Sequence, residues 1–334
     1  MYCPICQLPI ARRFRAKLRR LLALGFAALG ACEGGGDPLA PSNASSVSAA
    51  ESAKPDLTVA AAGTSQRIAF TTTRNGGYDV YKMDPQGNSI APLANSGDWE
   101  FAPGWTRTNG WIAMVRPRLD ASNQYHYDIW ETAFDGSNGK WVRFSRSPYD
   151  LGTPSWSPDA SHLAVEVQIS GVWYIGWIYP GQDQMGVYST GFGGRQGRYP
   201  SYTASGQIVY VGPTGKTIER INADGSGHKQ LYSSTTGVGE PAYSPDGKKV
   251  AFEKLVGFNQ DIFVKNLVDG TVTRLTTHSA PDVHPTWSPD GTKIAFSSAR
   301  SGQYQIWTMN AATGGDLARI THTTTVERDP SWSH

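Results

Sequence analysis

Glu240, His284 and Asp329 each stand directly before the proline of a Pro-x-aromatic tripeptide: Pro241-Ala-Tyr243, Pro285-Thr-Trp287 and Pro330-Ser-Trp332. Two carboxylates and an imidazole form a ligand set suited to a hard or borderline divalent metal, and the same groups can carry protons. Either chemistry requires the three to converge. They lie 44 and 45 residues apart, so they can meet only if the chain repeats one structural unit and brings equivalent positions together.

The repeat is present throughout. Ala102, Thr153 and Tyr199 precede three earlier copies, Pro103-Gly-Trp105, Pro154-Ser-Trp156 and Pro200-Ser-Tyr202, and the six prolines are spaced by 51, 46, 41, 44 and 45 residues. That is the length of a four-stranded propeller blade and too long for a helical TPR or ankyrin unit. About seven residues after each of the first five aromatics comes an apolar triplet: Ile112-Ala-Met114, Leu163-Ala-Val165, Ile208-Val-Tyr210, Val250-Ala-Phe252 and Ile294-Ala-Phe296. The sixth triplet is missing after Trp332 and appears ahead of the first motif, as Ile68-Ala-Phe70. The expected fold is therefore an all-β, six-bladed β-propeller with four antiparallel strands per blade. Its C-terminal strand closes the ring against the N-terminal strands, leaving no unpaired edge at the seam.

With the inner strand as A, each blade reads A, B, C, D. Pro158-Asp159, Pro245-Asp246-Gly247 and Pro289-Asp290-Gly291 suit the A–B turn, and Asp135-Gly136, Asp224-Gly225 and Asp269-Gly270 the C–D turn. These aspartates read as turn formers, not as acids or bases. The C strands Asp79-Val-Tyr81, Asp128-Ile-Trp130, Asp261-Ile-Phe263 and Gln305-Ile-Trp307 alternate as half-buried strands do. Most Trp and Tyr are thereby assigned to packing between blades rather than to a ligand platform. Val172–Tyr179 is apolar on both faces and reads as a strand buried on both sides.

In this topology the D–A and B–C connections share one face, and the residue before each A-strand proline stands at the mouth of the central channel. The candidate binding residues are Tyr199, Glu240, His284 and Asp329; Glu240, His284 and Asp329 are the candidate metal ligands. A plainer account is that side chains ahead of an extended Pro segment hydrogen-bond loop amides. His278 and His322 are expected at the same rim. Gly191–Gly197 lacks the spacing and strand-to-helix context of a phosphate loop and reads as a rim loop, and no Gly-x-Ser-x-Gly elbow offers a peptidase nucleophile.

Arg12, Arg13, Arg15, Lys17, Arg19 and Arg20 precede a short apolar run, Leu21–Gly30, which ends at Ala31-Cys32 and is followed by a Gly-rich stretch. This order resembles a bacterial lipoprotein signal, which implies cleavage before Cys32 and lipid on its sulfur; ordinary secretory cleavage is the alternative. Residues 1–31 are read as the signal peptide, 32–65 as an Ala/Ser/Gly/Pro-rich lipid-anchored linker and 66–334 as the propeller. Cys3 and Cys6 would leave with the signal; their spacing is half a zinc ribbon without a second pair. The 30 basic and 28 acidic residues become 24 and 28 once residues 1–31 are removed, so nucleic acid is not an expected partner.

The elements Pro-x-Trp-Ser-Pro-Asp-Gly-x-x-Ile-Ala-Phe, Asp-Ile-Trp/Phe and Arg-Leu-Thr (Arg274–Thr276, with Arg319-Ile-Thr321) resemble the propeller repeats of the TolB family, most closely in blades 5 and 6. Blade 2 has Thr106-Arg-Thr-Asn109 and blade 4 Thr203-Ala-Ser-Gly206 in place of the Ser-Pro-Asp turn. The resemblance covers nearly all of 66–334 and implies a six-bladed propeller. The N-terminal α/β domain of TolB is not expected within 33–65. The functional expectation is a lipid-anchored, non-enzymatic binding or scaffold module, monomeric, in the cell envelope at the outer membrane facing the periplasm. Its partner would be a periplasmic or membrane protein, or a cell-wall component. No cofactor is expected beyond a candidate divalent metal. The alternative is a metal-dependent lyase or lactonase using the channel mouth; only half the ring supplies polar candidates, which favours binding.

Overall fold

Every blade begins with the same local irregularity, and that irregularity builds the channel mouth. In each A–B ladder two residues of strand A oppose one of strand B, at the residue–proline pair: Glu240-Pro241 lies between the pairs Gly239↔Glu253 and Ala242↔Ala251, and Asp329-Pro330 between Arg328↔Thr71 and Ser331↔Ala69. The same bulge recurs in the other four blades. All six pre-proline residues have positive φ: Ala102 52°, Thr153 25°, Tyr199 55°, Glu240 38°, His284 56° and Asp329 53°. None is glycine, and side chains rarely adopt this conformation, so the surrounding sheet imposes it. Proline removes an amide that the bulge leaves unpaired, and the bulge re-aims the preceding side chain.

The structure is a computed structural model that describes residues 66–94, 96–106, 110–143, 149–180, 184–188 and 194–333. The expected signal and linker, with Cys32, lie outside the described residues, as do residues 191–193 of the rim loop. The described residues form six four-stranded antiparallel sheets. Blade 1 combines Glu327–Trp332 as strand A with Ile68–Thr72, Asp79–Met83 and Ala91–Ala94, so the expected closure is observed. The other A strands are Phe101–Trp105, Asp150–Trp156, Arg198–Tyr202, Val238–Tyr243 and Asp282–Trp287, and each packs on its neighbours in cyclic order.

The core is a series of wedges between blades. Ala69, Val80 and Leu93 of blade 1 meet Trp105, Ile112 and Met114 of blade 2, while Ile68, Phe70 and Trp332 meet Ala295 and Ile306 of blade 6. Motif tryptophans also bond across blades. Trp105 Nε1 donates to Ser331 O (2.9 Å) and Trp287 Nε1 to Ala242 O (3.0 Å). The expected turns hold: Asp159, Asp246 and Asp290 accept from Ser157, Ser244 and Ser288 hydroxyls and from the Ser161, Lys248 and Thr292 amides.

One expectation needs correction. Val172–Tyr179 is not buried on both sides: Val172 is exposed, and Trp173, Tyr174 and Trp177 are half-buried. Trp177 lies over Gly186, where a Cβ would come within 2.5 Å of the indole.

Candidate functional site

Because the pre-proline side chains share one conformation in consecutive blades, Glu240 (blade 5), His284 (blade 6) and Asp329 (blade 1) do converge. His284 lies between the two carboxylates, with Nε2 3.1 Å from Glu240 Oε1 and Nδ1 3.1 Å from Asp329 Oδ1. An imidazolium donates from both nitrogens, so it satisfies both acids at once. Burial pushes the His284 pKa down, but Glu240 and Asp329 outweigh it and the net shift is upward. Asp329 is moved up by burial and further down by His284 and Arg328, and ends below the usual range.

The structure adds residues that sequence reasoning missed. The residue after the B-strand triplet lies beneath the mouth, and in blades 3 and 5 it is a buried glutamate, Glu166 or Glu253. Each accepts the backbone amide of the next blade's bulge: Tyr199 N to Glu166 Oε1 (2.9 Å) and His284 N to Glu253 Oε1 (2.8 Å). Ser297 and Thr71 do the same for Asp329 N (3.1 Å) and Ala102 N (3.3 Å). Gln260 donates to the second oxygen of Glu253 (2.9 Å). Burial first, and Glu240 second, push Glu253 up to about 7. Burial also raises Glu166, against the Arg198 guanidinium 3.2 Å away.

Two arginines complete the set. Arg328 Nη2 lies 3.2 Å from His284 Nε2, and its Nε lies 3.3 Å from Asp329 Oδ1. Arg198 stacks on Tyr199, 4.5 Å from the ring centre, so Tyr199 is a half-buried packing residue at the mouth. Their sequence signal was available, since Arg198 and Arg328 occupy one repeat position, as do Glu166 and Glu253. His278 and His322 are exposed on D–A connections, and His278 Nδ1 accepts the Ala280 amide (3.0 Å); neither belongs to the mouth cluster.

Glu240, Glu253 and His284 can each aim one ligand atom within 4.8 Å of the others. The donor types suit a divalent cation, with Glu253 replacing Asp329 in the expected trio. The guanidinium beside His284 Nε2, and the proton this nitrogen shares with Glu240, would both have to leave first. Other buried carboxylates near this face are tied to the B–C hairpin of their own blade: Glu100 to Arg116 (3.3 Å), Asp282 to Arg300 (2.7 Å) and Glu327 to Arg74 (3.2 Å).

Residues 189–334 match the PD40 family, the TolB beta propeller domain. Among solved structures, the chain is similar to TolB from Acinetobacter baumannii, at 20% identity and a TM-score of 0.68, over 80% of this chain and 66% of that one. It thus spans just under two thirds of that protein's length. It is also similar to a chain of a nidogen/laminin complex (10% identity, TM-score 0.61, 80% and 98% covered). An oligogalacturonate lyase in complex with manganese is a more distant match (13%, 0.52, 77% and 74%). At these identities the likeness is one of fold.

Proposed function

We propose that this TolB-like six-bladed propeller is a non-enzymatic binding or scaffold module of the cell envelope, held through lipid on Cys32 at the outer membrane, facing the periplasm. It presents its channel mouth to a periplasmic or membrane protein, or to a cell-wall component. The observation that carries the reading is the commitment of both His284 nitrogens to carboxylates, with Arg328 against one of them. A general base needs a free lone pair and a catalytic metal needs open ligands. The mouth instead offers a fixed, pre-formed charge pattern, which favours recognition.

The metal-dependent lyase or lactonase reading keeps one supporting observation, the close approach of Glu240, Glu253 and His284. The binding reading is tested by reversing Glu240 and Asp329 together to lysine and crosslinking in whole cells. Loss of the wild-type adduct from a double variant that still melts cooperatively, at a lower temperature because His284 and Arg328 lose their carboxylates, is the expected result. A double variant that retains every crosslinked partner would place the interaction elsewhere.

A further inference from the structure

Most tryptophans of the ring pack between blades, whereas Trp99 is 43% exposed. It stands on the connection from strand D of blade 1 to strand A of blade 2, on the face that carries the mouth. Its pose is fixed from two sides. The indole lies over Gly77 of the blade 1 B–C turn, where a Cβ would approach its Cδ1 to 3.4 Å, and it meets the Tyr78 ring edge-on, with centroids 5.7 Å apart and planes at 79°. The amide of Glu100, next in the chain, donates to Tyr78 O (2.7 Å) and ties the connection to that turn. The two rings thus form a rigid, nearly right-angled aromatic corner.

Around this corner the donors are used up and acceptors are left over. Arg116 Nη2 donates to Ser96 Oγ (2.6 Å) and Asp98 Oδ2 (2.7 Å), and its Nε lies 3.3 Å from Glu100 Oε1, which also accepts from Ser96 Oγ (2.5 Å). Asn75, on the same B–C turn as Gly77, commits its amide nitrogen to Asp79 Oδ2 and Tyr81 OH, both at 3.0 Å. Three oxygens then meet no donor among the described residues: Asn75 Oδ1, Oδ1 of the 63% exposed Asp98 side chain, and the buried Glu100 Oε2. An unsatisfied buried acceptor is costly, and such groups are few in native folds.

We propose that this corner is a subsite for a neutral sugar ring, one residue of a glycan chain. This rests on the binding-module reading and names a ligand class for the mouth face. A pyranose matches both halves of the corner. The negative face of the indole attracts its C–H face, and its rim of hydroxyls supplies the donors that the three oxygens lack. Other occupants fit worse. A tryptophan that anchors a protein partner sits in a well-packed, desolvated pocket, whereas the exposed neighbours of Trp99 are Asn75, Gly76, Ser96, Gly97 and Asp98. A nucleic acid or an acidic sugar would bring negative charge against Asp98. A metal ion would meet the Arg116 guanidinium already seated against both carboxylates.

The test titrates the full chain with soluble tetrasaccharides of N-acetylglucosamine, glucose, mannose and galactose, by calorimetry and by saturation-transfer NMR. The expected result is binding of at least one of them, with saturation reaching its ring C–H protons. Affinity falls at least tenfold in Trp99→Ala and in Asp98→Ala, Trp99→Phe recovers most of the first loss because it keeps an aromatic face, and Leu317→Ser, on the opposite face, binds as wild type does. Should Trp99→Ala melt early, Asp98→Ala reads the same site through an exposed side chain. No binding of any of the four sugars, or binding that Trp99→Ala and Asp98→Ala both leave unchanged, overturns the proposal. So does a photo-crosslinking residue at position 99 that captures a protein in whole cells and no glycan. Each of these results leaves the binding-module reading standing, because that reading falls only if the Glu240→Lys/Asp329→Lys variant keeps every crosslinked partner.

Discussion

At the residue scale, the chemistry concentrates in groups whose ionisation the fold has altered. Glu253 titrates near 7 in the folded ring and near 4.3 when unfolded, because burial and then Glu240 disfavour its charge. The folded state therefore binds a proton that the unfolded state has released, and stability falls as pH rises from about 4.3 to about 7. His284 acts in the same direction: its raised pKa stabilises fully below about 6.5, and that contribution is lost as pH climbs through the higher folded value. Glu253→Gln keeps an acceptor for the His284 amide without the charge. It should melt higher than wild type at pH 8, with the gap closing toward pH 4.5; equal melting at both pH values would mean that Glu253 is not held in a charge-hostile site. Cys32→Ser tests the anchor, since a multiply acylated cysteine gives stable membrane attachment. The variant should appear as soluble protein or uncleaved precursor, whereas identical fractionation of both forms as soluble protein would remove the lipoprotein reading. Glu240, His284 and Asp329 were legible in sequence because they precede the repeated proline. Glu166 and Glu253 were harder to see, because a glutamate after an apolar triplet reads as an ordinary outward strand residue until the sheet is known to face a channel.

At the element scale, the inner strands carry both the bulge and the rung between blades. Trp287→Phe should cost about 1–3 kcal/mol, because it leaves the Ala242 carbonyl in a buried seam without the indole that donates to it. Urea unfolding measures this, and a change within a few tenths of a kcal/mol would mean that the rung contributes little. Ala102→Gly should be neutral or stabilising by up to about 1 kcal/mol, since φ of 52° strains alanine and suits glycine. A loss of more than 1 kcal/mol would show that the bulge does not impose the strain. Strands A, B and C were legible from proline, triplet and alternation. Strand D was not: Val272–Arg274 and Ala318–Arg319 are so short that they leave no period, and pairing to strand C alone defines them. The extent of B–C pairing was equally hidden, because hairpins of equal residue count stop pairing at different points, Val256↔Asn259 in blade 5 and Ser298↔Gln305 in blade 6.

At the scale of the whole molecule, closure was the most legible feature, since six A strands and six B strands are offset by one element along the chain. Deleting Pro330–His334 removes the end of the inner strand of blade 1 and withdraws buried Trp332, which alone is worth about 3–5 kcal/mol. The truncated ring should melt about 10 °C lower or more; melting within a degree or two of the full chain would contradict closure at this seam. Function was less legible than fold, because one propeller serves both binding and catalysis and the difference lies in whether the mouth's groups are free or committed to one another. The account's central claim is that they are committed. The most direct measurement is the melting temperature at pH 7 with calcium, manganese or zinc added, compared with the chelated protein and with His284→Ala. The account predicts no shift beyond about a degree for any of the metals. A rise of about 5–10 °C, the effect of roughly 2.7 kcal/mol at a hundred times the dissociation constant, that disappears in His284→Ala would contradict it and move the mouth to the metal-dependent reading.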